Sequence, residues 1–175
     1  ETAISDENGL VTFTKDLPIA HYYAKEEKAA DGYVLNDELI DFNLEYAGQD
    51  TATLLATADV SNDYTKVEIS KVDIGGEEIP GAELEIRDSE GNTIESWTSD
   101  GTPHMLERLK PGNYVLVETP APDGYEIAEE IPFTVLETGE IPKVQQVAEY
   151  EKPGPIYVQK VGDMLTGTTT HECDI

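Results

Sequence analysis

One unit is written along this chain more than once, and a repeat limits the fold more than any local pattern does. Residues 20–35, AHYYAKEEKAADGYVL, align with residues 112–127, GNYVLVETPAPDGYEI, and each run sets a glutamate seven positions before a tyrosine, Glu26 before Tyr33 and Glu118 before Tyr125. Residues 56–71, ATADVSNDYTKVEISK, align with residues 143–160, KVQQVAEYEKPGPIYVQK, which makes Tyr64 equivalent to Tyr150 and Lys71 to Lys160. The equivalent residues stand roughly ninety positions apart. That period predicts a complete unit over 66–152, preceded over 1–65 by the C-terminal part of another whose N-terminal strands are missing. Over 153–175 it predicts a linker and the first strand of a third. The chain reads as a segment cut from an array. Its joints, Asp63-Tyr64-Thr65 and Glu151-Lys152-Pro153-Gly154-Pro155, are short and polar, and Pro153 and Pro155 disfavour helix and stiffen the second joint.

Within a unit the pattern is β. Ile40, Phe42, Leu44 and Tyr46 alternate with Asp41, Asn43 and Glu45, and Ala82, Leu84 and Ile86 alternate with Glu83, Glu85 and Arg87. Period two is the signature of a half-buried strand. Asp6-Glu7-Asn8-Gly9 and Asp88-Ser89-Glu90-Gly91-Asn92 read as hairpin turns, because Asn and Gly accept positive φ. Evenly spaced short strands with such turns predict a sandwich or a partly open barrel.

Charge and composition remove several function classes. Against 37 Asp plus Glu the chain has 11 Lys plus Arg, a formal net charge of −26, and no basic run. Nucleic acid is therefore not an expected partner, since phosphate contact needs clustered cations. With 38% hydrophobic residues spread along its length, the chain is expected to fold. No apolar stretch approaches the ~20 residues of a membrane span, so no membrane contact is expected in this segment. Glu1 to Asp6 lacks the pattern of a signal peptide. No cofactor or metal is expected either. The single cysteine, Cys173, offers neither an internal disulfide nor a thiolate cluster. A calcium loop of the EF-hand kind would place Ile4 and Lys15, or Ile86 and Trp97, at its ligating ends, and both loops fail. His21, His104 and His171 have no metal-ligand spacing, and neither G-x-S-x-G nor a phosphate-binding glycine loop occurs. Turnover of an external substrate is not expected.

Strand parity instead puts charged residues on apolar faces. Lys71 falls with Val67 and Ile69, Lys160 with Ile156 and Val158, Glu26 with Tyr22 and Ala24, and Glu118 with Tyr114 and Leu116. Asn62 falls with Ala58 and Val60. Each of these polar residues is predicted to face a core. Buried charges must pair or neutralise, because desolvation disfavours the charged form of either group. Two readings are open. One is a buried Lys–Glu ion pair, or a lysine that snorkels out at a strand end. The other is reactive: a neutral lysine is a nucleophile, a carboxyl group can polarise an asparagine amide and shuttle protons, and a fold that holds them together supplies proximity. Its product is a Lys–Asn isopeptide bond with loss of ammonia.

The run VEISKVDIGGEEIPGAELEIRDSEGNTIESW, followed by LKPGNYVLVETPAPDGYEIAEEIPFTV, resembles the CnaB-type, SpaA-like (prealbumin-like) domains of Gram-positive pilins and cell-wall adhesins. The resemblance covers the middle repeat and, as fragments, both ends. It implies an all-β fold of tandem immunoglobulin-like β-sandwich domains, one complete and two partial, with an extracellular, cell-wall-attached location and a stalk role. Signal peptide and sorting signal would lie outside the fragment. Neighbouring domains of the same surface protein would be its partners, with a host or matrix ligand unidentified. It also implies autocatalytic isopeptide formation by Lys, Glu and Asn or Asp. Lys71 matches the reactive lysine and Glu118 the acid, but the acceptor position, two residues before Tyr150, holds Ala148. Glu149 has the opposite parity, and Gln146, with the right parity, lies about 6–7 Å along the strand, too far to replace Ala148 without a register shift. The middle repeat is therefore expected to fold without the cross-link, keeping Lys71 and Glu118 as a non-covalent pair. In the first repeat Glu26 and Asn62 match acid and acceptor, with the lysine missing upstream. In the third, Lys160 matches the nucleophile, with its partners missing downstream. Lys160 can in principle add its strand to the first repeat, of this chain or of a neighbour.

The rival reading is an extracellular ligand- or carbohydrate-binding module. Tyr22, Tyr23, Tyr33, Tyr114, Tyr125 and Trp97 would form its platform if exposed, whereas their parity and repeat equivalence favour packing.

Overall fold

The computed structural model describes residues 1–49 and 56–150. They form eleven strands, β1 His21–Ala24, β2 Ile40–Asn43, β3 Lys66–Val72, β4 Pro80–Asp88, β5 Thr93–Asp100, β6 His104–Glu107, β7 Gly112–Glu118, β8 Tyr125–Glu126, β9 Ile131–Val135, β10 Lys143–Val147 and β11 Glu149–Tyr150. The architecture is all-β. A four-stranded antiparallel sheet, β5-β4-β7-β9, and a three-stranded sheet, β10-β3-β6, make up most of residues 66–150. Two small pairs, β1-β2 and β11-β8, complete the set.

Alternation decides which faces meet. Val67 and Ile69 of β3, Ala82, Leu84 and Ile86 of β4, Leu106 of β6, Tyr114 and Leu116 of β7, Val135 of β9 and Val144 of β10 are buried in one cluster. Each large apolar side chain so buried contributes about 1.5–3 kcal/mol, so this cluster holds the two sheets together as a sandwich. Between β3 and β10 the pairing is parallel, with Lys71 opposite Gln146 and Val72 opposite Val147. Such a pair cannot be closed by a hairpin, so everything from β4 to β9 lies between them in sequence.

Three loops share one construction. Asp6, Asp73 and Asp88 each accept, through Oδ1, the backbone N–H groups two and four residues on. In each loop a glycine three residues on takes positive φ, Gly9 at 79°, Gly76 at 86° and Gly91 at 85°. An aspartate that mimics a turn, followed by a glycine free of a Cβ clash, closes such a loop with little strain. Asp88 to Asn92 joins β4 to β5 as expected. Asp6 to Gly9 is a turn but not a hairpin, because no strand flanks it. Two further expectations change. The alternating run from Ile40 ends as a strand at Asn43, leaving Tyr46 67% exposed. Ala58 and Val60 are exposed, since residues 56–63 pair with no sheet.

Residues 1–65 meet residues 66–150 at a built joint. The turn Asp31-Gly32-Tyr33 puts Gly32, at φ 83°, so close to Arg108 that a Cβ there would lie 2.6 Å from the Arg108 carbonyl oxygen. Thr65 N–H donates to Gly32 O (3.1 Å), Arg108 N–H to Thr65 O (2.9 Å) and Leu35 N–H to Glu137 O (2.9 Å). The Arg108 guanidinium sits 4.0 Å from the Tyr64 ring centroid and 5.9 Å from that of Tyr33. Lys110 Nζ is 2.7 Å from Asp31 Oδ2. Arg108 is a non-glycine residue at positive φ, 66°, a conformation that costs about 1–3 kcal/mol and persists only where its surroundings hold it.

Candidate functional site

Lys71 is the largest fully buried side chain of the described residues. It lies inward because β3 alternates, Val67, Ile69 and Lys71 sharing one face while Glu68 and Ser70 take the other. On the facing sheet β7 brings Glu118 inward on the same principle, and Leu84 of β4 pairs with it. Lys71 Nζ stands 2.8 Å from Glu118 Oε1, with the two side chains 1% and 0% exposed. The contact is off the line of a hydrogen bond, and Oε1 has no hydrogen-bond partner among the described residues. The other oxygen, Oε2, accepts the backbone N–H of Ala128 at 2.7 Å.

Gln146 completes the cluster, a contact that counting residues along its own strand did not anticipate. Across the parallel pair, however, Gln146 is the residue opposite Lys71, and Lys71 Nζ donates to Gln146 Oε1 at 3.2 Å. The Gln146 amide nitrogen donates to Glu129 O at 2.9 Å, and the residue is 1% exposed. Its signal in the sequence was a polar residue at inward parity between Val144 and Ala148. Ala148 is itself fully buried, its N–H bonded to Val72 O at 2.7 Å. Glu149 is exposed.

The first repeat carries a half-buried counterpart. Asn62 Nδ2 donates to Glu26 Oε2 at 2.6 Å and to Val34 O at 2.9 Å. Glu26 Oε2 also accepts the N–H of Asn36 at 2.8 Å. Both glutamates thus take a backbone N–H from the residue ten positions on, Glu26 from Asn36 and Glu118 from Ala128. The two pairs of tyrosines match as well. Tyr33 bridges to Tyr64, and Tyr125 pairs with Tyr150. Lys160 and Cys173 lie outside the described residues.

The aromatics pair among themselves. Tyr22 stacks on Phe42, Tyr114 on Phe133, Tyr125 on Tyr150 and Trp97 on His104, with ring centroids 4.4–5.7 Å apart. Tyr114 is buried, its hydroxyl donates to Lys110 O, and burial raises its pKa. Tyr23 is 61% exposed.

Comparison with known proteins follows the same lines. The pattern of the SpaA prealbumin-like fold domain matches residues 1–58 and 65–150. No curated protein matches. Among solved structures the chain is similar to the Bacillus anthracis TIE protein, with 29% identity, a TM-score of 0.51, and coverage of 83% of this chain and 28% of that one. It is also similar to a C-terminal fragment of the pilus adhesin SpaC from Lactobacillus rhamnosus GG (20% identity, TM-score 0.49, 89% of each chain covered). A third is BcpA, the major pilin subunit of Bacillus cereus (22% identity, TM-score 0.45, 50% of this chain and 29% of that one). The chain spans less than a third of the TIE protein and of BcpA.

Proposed function

Because this chain belongs to the SpaA prealbumin-like fold domain family, we propose that it is a structural stalk segment of a Gram-positive cell-surface adhesin or pilin. Its work there is mechanical. It is divided as the repeat divides it, a partial unit over 1–65, a complete one over 66–152 and the start of a third over 153–175. The neighbouring domains of the same wall-attached, extracellular protein are its partners. The observation that supports this reading best is the joint at Arg108. Backbone hydrogen bonds, a cation on two tyrosine rings and the Asp31–Lys110 ion pair hold consecutive units together. A tether that only had to connect domains needs none of these. The net charge of −26 suits a solvated rod that repels its neighbours.

In this reading Glu26 and Asn62 are the acid and acceptor of a unit whose lysine comes from a segment N-terminal to residue 1. Lys71 and Glu118 are nucleophile and acid of the middle unit, and Lys160 is the nucleophile of the next. With Ala148 at the acceptor position, the middle unit lacks the Lys–Asn/Asp bond. A bond of this kind resists force by shortening the extensible loop, as a disulfide constrains an unfolded chain.

Small-angle X-ray scattering of the full chain in low and high salt tests the stalk. One elongated profile in both is expected. Two bodies tumbling independently would sink the proposal, and saturable binding of soluble glycans with a change in Trp97 fluorescence would favour the carbohydrate-binding reading.

A further inference from the structure

The joint at Arg108 uses one end of the first unit, and the repeat builds the same end on the middle unit. Asp31-Gly32-Tyr33 with Tyr64 corresponds to Asp123-Gly124-Tyr125 with Tyr150. In each, one tyrosine is bridged to the other, Tyr33 to Tyr64 and Tyr125 to Tyr150. What the two ends hold differs. The Arg108 guanidinium stands 4.0 Å from the Tyr64 centroid and 5.9 Å from that of Tyr33, and Asp31 takes Lys110 at 2.7 Å. Among the described residues no cation lies over Tyr125 or Tyr150, and Asp123 enters no ion pair. Tyr150 is 54% exposed, and Asp123 is exposed as well.

The two ends compare as a filled and an empty form of one clamp. The rings of Tyr33 and Tyr64, which share the guanidinium, are tilted by 59° with centroids 5.2 Å apart. Those of Tyr125 and Tyr150 lie at 26° and 4.7 Å, closed on each other. The room that Gly32 leaves for the Arg108 carbonyl oxygen, 2.6 Å from where a Cβ would stand, is present and open at Gly124.

We propose that Asp123, Gly124, Tyr125 and Tyr150 form the docking surface for the next prealbumin-like unit in line. Its occupant is a loop of that unit bearing an arginine with a second cation two residues on, as Arg108-Leu109-Lys110 does. This deepens the stalk reading and rests on it for the presence of a following unit. The guanidinium takes the face of Tyr150, its own backbone carbonyl passes Gly124, and the second cation pairs with Asp123. A cation over an aromatic face gains most when the pair is shielded from water, and a planar guanidinium stacks there better than an ammonium. A second copy of this chain cannot supply the arginine, because its Arg108 already sits on its own Tyr64. One part of the first joint has no counterpart. Val34, whose side chain lies beside Gly139, corresponds to Glu126, so recognition at the second end rests on the tyrosines, the glycine and the aspartate.

The test lengthens the chain. Tyr150 is followed by a second copy of residues 65–150 in place of 151–175, so that the added Arg108 and Lys110 stand to Tyr150 as the native pair stands to Tyr64. The sandwich core lies wholly within residues 67–144, so the added unit brings its own core. The expected result is the scattering profile of a rod longer by one unit, with proteolysis no faster at the new joint than around Asp63. Gly124→Ala, Tyr150→Ala and Arg108→Ala in the added copy should each speed cutting at the new joint about tenfold, because cutting follows the open population. Tyr150→Phe, which keeps the ring face, should not. The lengthened chain without substitutions decides the matter even where a variant does not fold. An added unit that tumbles freely while the first joint stays rigid overturns the proposal, as does Gly124→Ala that leaves the new joint unchanged. Dimers of the original chain that Tyr150→Ala abolishes would overturn it too, by making a second copy the occupant. Free tumbling at the first joint is a different result, one that sinks the stalk reading and this proposal with it.

Discussion

At Glu118 burial and charge fall on one side chain, and its removal should show what the buried pair with Lys71 contributes. Glu118→Ala would leave Lys71 buried without a counter-charge. Breaking a buried pair in this way costs about 3–5 kcal/mol, and the expected readout is a large fall in the urea midpoint. An exposed pair in the same sheet provides the contrast. Lys143 Nζ lies 3.0 Å from Glu68 Oε1, with side chains 75% and 30% exposed, and Lys143→Ala should cost under about 1 kcal/mol. Equal losses at the two sites would mean that burial is not what makes the Lys71 site matter. Parity along single strands was enough to place Lys71 and Glu118 inward, because alternation is a local property of the backbone. The contact between Lys71 and Gln146 was not legible that way. It depends on the register of two strands separated by most of the unit, and no local pattern carries that register.

Among the elements, the aspartate–glycine loops make a separable contribution. At Gly91, φ is 85° and no atom would lie within 4 Å of an added Cβ. Gly91→Ala therefore meets only the backbone cost of a left-handed residue, about 1–2 kcal/mol, read as a lower melting temperature with an unchanged fold. Asp88 makes the same loop sensitive to acid. Its contacts with Asn92, above all that with the side-chain amide, hold its pKa below the ordinary 3.8. The folded value lies under the unfolded one, so the ionised loop stabilises the fold fully above pH ~4, and that stabilisation fades as pH falls through the folded value. Asp88→Asn should lower the melting temperature modestly at neutral pH and flatten its decline in that window, so that variant and wild type converge in acid. An unaltered decline would remove Asp88 from the account. These loops were partly legible in advance, since an Asp followed by Gly announces a turn. Whether strands flank the turn was not. Asp88 lies between two strands that pair, β4 burying Ala82, Leu84 and Ile86 and β5 laying Trp97 against that core, whereas Asp6 has exposed Ile4 and Leu10 on either side. The run from 56 to 63 shows the same limit, because alternation without a partner strand leaves Val60 in solvent.

At the scale of the molecule, the repeat supplies its own control for the joint. Gly32 and Gly124 occupy equivalent turns, Asp31-Gly32-Tyr33 and Asp123-Gly124-Tyr125, with φ of 83° and 87°. Both turns close with the tyrosine N–H donating at 3.1 Å to the residue three before it, Ala30 or Pro122. They differ in what lies beyond. A Cβ at Gly124 meets nothing within 4 Å, while one at Gly32 meets the Arg108 carbonyl oxygen at 2.6 Å. Gly124→Ala should therefore cost only the conformational penalty, and Gly32→Ala that penalty plus the joint. The expected outcome is a scattering profile that broadens toward independent units, with faster proteolysis around Asp63, in Gly32→Ala alone. Acid should act on the same joint. The Lys110 ammonium holds the Asp31 carboxyl below its ordinary 3.8, and Asp31 in turn raises Lys110 above 10.5. The pair is intact at neutral pH and is lost as pH falls through the lowered Asp31 value, but both side chains are exposed (68% and 61%), so acid and Asp31→Lys should loosen the joint much less than Gly32→Ala does. If Gly32→Ala and Gly124→Ala scatter alike, the contacts around Arg108 do not fix one unit on the next, and the rigidity that a stalk needs must come from elsewhere in the chain.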